Sequence, residues 1–101
     1  MADISTDITY SMEDHGHYGR LVAHVSGFEG EGMVRWSMAD EATIIAEFAG
    51  VPKAWEGTGV AARMVAHFVD LARDKQLKVI PHCGYVAAQF KRHPDWQDLR
   101  A

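Results

Sequence analysis

Two clusters in the second half of the chain combine residue types that could do chemistry. The first is Glu56-Gly57-Thr58-Gly59-Val60-Ala61, directly ahead of an amphipathic run. Glycine has no Cβ, so such a backbone turns tightly and lets a ligand approach its N–H groups. The first N–H groups of a helix lack internal acceptors and lie at the positive end of the helix dipole. Together these features suit a phosphate or pyrophosphate. The competing reading is a glycine-rich turn that only starts a helix. Two familiar phosphate loops do not fit. A P-loop needs Lys-Ser or Lys-Thr after its last glycine, and Val60-Ala61 follow Gly59. Gly57-x-Gly59-x-x-Ala62 matches the loose dinucleotide fingerprint, which also needs an acid about 20 residues on. That place holds Lys78-Val79-Ile80-Pro81-His82, without an acid.

The second cluster is His82-Cys83-Gly84-Tyr85. A cysteine ahead of a helix is either a nucleophile activated by the helix N-terminus or a small residue packed beneath it. Tyr85 is a candidate proton donor. His82 adjoins Cys83, but neighbours on a strand point to opposite faces, which argues against a Cys–His pair. His24 is a remote alternative. His15-x-His17 lacks the further ligands that a metal site needs, so no metal is expected. His67 falls on the polar side of a helix and reads as solvent-exposed. His93 falls at a helix end, where a cation suits the dipole. Trp36, Trp55 and Trp96 read as packing residues, with Trp55 of added interest because it precedes the loop.

The elements that must position these residues follow from hydrophobic period. Ile8, Tyr10 and Met12 alternate with polar neighbours, as do Leu21, Ala23 and Val25, then Val34, Trp36 and Met38. Thr43 to Ala49 is apolar and β-branched apart from Glu47, as in a largely buried strand. Four strands with short connections predict an antiparallel meander. After Pro52 the period changes: Ala61, Met64, Val65, Phe68, Leu71 and Ala72 predict one helix from about Gly59 to Lys75. Leu77 to Pro81 predicts a short strand parallel to Thr43–Ala49, because a whole helix separates them. Val86, Ala87 and Phe90 predict a second helix ending before Pro94, with a last turn over Asp95–Leu99. The fold class is therefore α+β: a mixed sheet of antiparallel meander, helix, parallel strand and helix, in one domain over residues 1–101.

Composition narrows the function. The chain has 101 residues, 48% of them hydrophobic and 24% charged, which is ordinary globular composition. A net charge of −4 argues against a general nucleic-acid binder. Residues 1–50 carry nine acids and two bases, whereas residues 51–101 carry five acids and eight bases, so an anion suits the second half. Lys91, Arg92 and His93 read either as part of that anion site or as a solvated face. No apolar run reaches the ~18 residues of a membrane span. The start, Met1-Ala2-Asp3-Ile4, has no signal-peptide pattern. One cysteine suits a reducing compartment, and a cytoplasmic location is expected.

The loop after Val51-Pro52 resembles the acetyl-CoA pyrophosphate loop of GNAT N-acetyltransferases, R/Q-x-x-G-x-G/A. Downstream, Lys78-Val79-Ile80-Pro81-His82-Cys83-Gly84-Tyr85-Val86 and Arg92-His93-Pro94-Asp95-Trp96-Gln97-Asp98-Leu99 resemble a short single-domain GNAT branch, often called YjdJ-like. Its pattern is K-V-x-P-x-C-P-[FY]-V, then R-H-P-E-[YW]-x-D-L. Two motifs in order, at matching spacing and length, are more specific than either alone. Glu56 stands where GNAT proteins generally have Arg or Gln, Phe48-Ala49 where the branch has His-Thr, and Gly84 where it has proline.

The resemblance implies an acetyl-CoA-dependent N-acetyltransferase acting on a small-molecule or protein amine. The alternative is a CoA-binding module or interaction protein with little catalysis. It implies a pantetheine arm paired with backbone around Glu47 to Val51. It also implies cofactor contacts at Val51, Glu56, Gly57, Thr58, Gly59, Val60, Ala61, Cys83, Tyr85 and Phe90, with Cys83 and Tyr85 as the catalytic candidates. Amine attack on the thioester needs a base, an oxyanion donor and an acid for the departing thiolate. Gly59→Val is expected to abolish binding with little loss of fold.

Overall fold

The computed structural model describes residues 7–101. The opening Met1–Ile4 lies outside them. Four strands, β1 (Ile8–Asp14), β2 (Tyr18–Val25), β3 (Gly32–Asp40) and β4 (Thr43–Gly50), pair antiparallel in chain order. Helix α1 (Val60–Asp74) then returns the chain to β5 (Lys78–Pro81), which pairs parallel with β4. Helix α2 (Gly84–Arg92) follows, then a 3₁₀ segment over Pro94–Leu99. The expected mixed sheet and its order are present.

Short-range polar contacts make the tight turns. Asp14 Oδ1 accepts the Gly16 N–H at 2.8 Å, closing the β1–β2 hairpin. Asp40 Oδ1 accepts the Ala42 N–H at 2.8 Å and does the same between β3 and β4. These are the local bonds that make Asp a turn former.

Alternation along the strands puts one sheet face in the core. Leu21, Ala23, Val34, Trp36, Ile44 and Ala46 meet Met64, Val65, Phe68, Val69 and Ala72 of α1. Val79 and α2's Val86 and Phe90 join the same cluster. Burying each large apolar side chain contributes roughly 1.5–3 kcal/mol, so this seam holds α1 against the sheet. The opposite face carries Arg20, His24, Arg35 and Glu47. Arg20 grips Glu13 through its guanidinium fork, at 2.7 and 3.0 Å, and also reaches Glu31 at 3.0 Å.

His67 is not simply solvent-exposed. Its ring stacks on Tyr10 of β1 at 3.9 Å, 5° from parallel, and the residue is half-buried. His93 caps the end of α2 and stacks on Trp96 at 3.8 Å.

Candidate active site

The site is built where β4 and β5 part. β5 pairs with Thr43 through Ala46 and goes no further. Pro81 has no N–H to continue the ladder. His82 then bonds back to Ile80 O at 2.9 Å, and the Cys83 N–H reaches Ala46 O at 3.0 Å. Beyond that bond β4 continues through Glu47, Phe48, Ala49 and Gly50 with no β5 partner. An unpaired strand edge is a ready-made template for an extended chain of amides.

A bulge helps to open the wedge. Arg35 pairs with Phe48 and Trp36 with Ala46, so Glu47 is the extra residue on β4. The phase of the strand shifts there. Ile44 and Ala46 face the core before the bulge, and Ala49 packs against that core after it. Glu47 and Phe48 are both exposed. The Glu47 carboxylate accepts the Ser37 hydroxyl at 2.5 Å. The Phe48 ring lies against Gly50, where an added Cβ would come within 2.8 Å of it, and beneath Arg35 at 5.1 Å.

The loop that follows β4 is shaped from below. A 3₁₀ turn, Lys53–Trp55, seats Trp55 at 1% exposure in a second apolar cluster with Val25 and Val60. Trp55 is thus a core residue under the loop, and its buried indole N–H has no acceptor among the described residues. Thr58 caps the turn, its hydroxyl donating to Trp55 O and its N–H reaching the same oxygen at 3.2 Å. Gly57 and Gly59 have φ of 81° and 84°, and a Cβ on either would meet nothing within 4 Å. Their open side is solvent, so space for a ligand exists above both.

The first helical bond of α1 runs from Arg63 N–H to Gly59 O at 3.2 Å. The N–H groups of Ala61 and Ala62 come before it and have no carbonyl one turn back inside the helix. Val60 N–H is turned toward Thr58 Oγ1 at 3.4 Å. No acidic residue lies in the first turn of α1. Glu56 is exposed just before the loop. Backbone donors and the dipole could therefore receive an anion with almost no help from side chains.

Cys83 is the N-cap residue of α2 and is half-buried against the main core. Tyr85, the second residue of α2, is 37% exposed. Partial burial pushes its hydroxyl above its ordinary value, with Arg92 opposing. A tyrosine so placed is protonated at neutral pH, the form that can donate a proton. Val51 is half-buried between the two apolar clusters. Phe90 is fully buried and meets Trp96 edge-to-face at 5.2 Å. His82 is exposed. His24 stands on β2, three strands from β5 and so about 14 Å across the sheet. Among the described residues no cluster of three His, Cys, Asp or Glu could hold a metal.

The sequence-predicted residues follow two neighbouring parallel strands. Gly57 to Ala61 come from the end of β4, and Cys83 and Tyr85 from the end of β5. Glu47, bonded to Ser37 at the bulge, was not singled out from the sequence. Its signal was a single carboxylate inside an otherwise apolar strand. The GCN5-related N-acetyl-transferase family model matches residues 20–99, from within β2 to the last turn. No curated protein matched the chain.

Proposed function

The chain belongs to the GCN5-related N-acetyltransferases, and from that membership we propose that it moves the acetyl group of acetyl-CoA to an amine. The observation that carries this reading is the parting of β4 and β5 after Ala46, with the glycine loop following β4 and Cys83 and Tyr85 following β5. The pantetheine amides pair with the free edge of β4 from Glu47 to Gly50. The pyrophosphate sits on N–H groups from Gly57 to Ala62. Val51 and Phe90 serve this site from behind, as packing for the loop and for α2. Glu56 turns its charge away from the phosphates.

The amine attacks the thioester carbonyl carbon and forms a tetrahedral oxyanion. The Glu47 carboxylate, held by Ser37, takes the proton that the ammonium must lose. Collapse breaks the C–S bond, Tyr85 protonates the departing thiolate, and the second proton lost by the attacking nitrogen returns Tyr85 to its neutral form. Direct attack leaves Cys83 unmodified. The acylated-cysteine route reverses that role: the thiolate of Cys83 takes the acetyl group first and the amine removes it.

Intact-mass spectrometry after incubation with acetyl-CoA alone separates the routes. Direct attack predicts no added acetyl on Cys83 and nearly full activity in Cys83→Ala. Tyr85→Phe should lose about 10²–10⁴-fold in kcat, the usual worth of general acid catalysis. Because Tyr85 must be protonated to act and burial raises its pKa, the activity it supports should be lost only as pH rises past the alkaline range where an ordinary tyrosine titrates. An acetyl group on Cys83 that an amine discharges overturns direct attack. Calorimetry with acetyl-CoA and CoA, followed by a panel of amines, tells a transferase from a binding module.

A further inference from the structure

At the far end of β4 from the wedge, the sheet and the C-terminal half of α1 line a partly open cavity. Its volume is about 200 Å³. Trp36, Met38, Ile44, Phe68, Leu71 and Leu77 form most of its wall. Ile44 lies four residues before Phe48, so this cavity is about 13 Å along the strand from the unpaired edge. It shares no lining residue with the loop or with Cys83 and Tyr85.

The cavity has a polar rim of both signs. Asp14 and Lys75 line it, and both are exposed. One Asp14 oxygen accepts from Gly16, leaving the other open. None of the ion pairs among the described residues involves Asp14 or Lys75. Inside, the Trp36 indole N–H donates to the Met12 sulfur at 3.2 Å. A thioether is a weak acceptor, so an oxygen would hold that donor better. Methionine walls also adapt to the shape of what enters.

We propose that this cavity binds a free α-amino acid with an apolar side chain, placing the side chain among Trp36, Ile44 and Phe68, the carboxylate at Lys75 and the ammonium at Asp14. The size fits, since an apolar cavity of about 150 Å³ admits benzene. A ligand with one charge leaves one rim group unmatched. A neutral ligand leaves both. The site is independent of the acyl-transfer reading and stands or falls without it.

Amide NMR titration of the full chain with L-phenylalanine tests the proposal. Saturable shifts should centre on Met12, Trp36, Phe68 and Leu71 and leave residues 57–61 unmoved. The same ligand should raise Tm, because it binds only the folded chain. 3-Phenylpropionate and phenethylamine, each with one charge, should bind at least tenfold more weakly. Lys75→Gln, at an exposed position, should weaken L-phenylalanine at least tenfold with no change in fold. Ala72→Leu should fill the cavity and abolish the shifts. Absence of saturation at about 10 mM, shifts centred on residues 57–61, or equal binding of the singly charged analogues would overturn the proposal. So would unchanged affinity in Lys75→Gln, which remains informative even if Ala72→Leu fails to fold.

Discussion

The two ends of α1 solve the same problem in opposite ways. Every helix leaves N–H groups unpaired at its start and carbonyls unpaired at its finish. At the C-terminal end the chain satisfies itself. Gln76 N–H reaches Arg73 O at 3.0 Å, and Leu77 N–H reaches Ala72 O at 2.9 Å. This is a Schellman arrangement, with Gln76 at φ 58° in the left-handed position and Leu77 packed back on the core. At the N-terminal end the chain turns through Gly57 and Gly59, and the donors of Ala61 and Ala62 have no carbonyl one turn back inside the helix. A closed end is scaffolding. An end left open on an exposed, preformed loop can receive an anion. The difference also explains the choice of residue. Glycine stands at positive φ in the open loop, while a glutamine is tolerated where only the protein's own backbone must be met.

The largest expected effect breaks the open end outright. Gly59→Val should abolish acetyl-CoA binding, because its side chain fills the space above the loop. The sequence alone suggests little loss of fold, but φ of 84° alters that expectation. A side chain at left-handed φ costs about 1–2 kcal/mol, more for a β-branched one. Denaturant titration should register that cost beside the lost calorimetric signal. A variant that binds acetyl-CoA normally would remove the pyrophosphate from this loop.

A finer test keeps the fold and changes only the charge. Ala61→Asp places a carboxylate in the first turn of α1, where the dipole favours it by about 0.3–1 kcal/mol. Stability should hold or rise slightly. Acetyl-CoA affinity should fall at least tenfold, because the new charge meets the phosphates. Parallel loss of stability and affinity would mean that the loop had collapsed instead.

Much of this architecture was legible in the chain because it depends on local pattern. The change of period at Pro52 marked the end of the meander, and a helix between two apolar runs dictated that β5 lie parallel to β4. The glycine pair marked the loop for the same reason: a backbone demand shows directly as a residue type. What escaped depended on partners distant in sequence. The bulge at Glu47 exists only in register with Arg35 and Trp36 of β3. The stacking of His67 needs Tyr10, on the opposite side of the meander. The left-handed Gln76 carries no glycine to announce it. The burial of Trp55 beneath the loop becomes visible only when Val25 and Val60 close around it.

The smallest effect sharpens the comparison from its closed end. Gln76→Gly relieves the left-handed strain of an L side chain, about 1–2 kcal/mol, but adds the flexibility of glycine to the unfolded chain. The difference should leave the variant more stable by about 0.5–1 kcal/mol. In a domain of this size that is a rise in Tm of a few degrees, about 4–8 °C per kcal/mol. Acetyl-CoA affinity should not move, since the hydrogen bonds at this end are made entirely within the chain. Should Gln76→Gly instead destabilise the protein, the glutamine side chain itself would be holding the turn. Should it change acetyl-CoA affinity, the two ends of α1 would be coupled, and the division into a closed scaffold end and an open ligand end would fail.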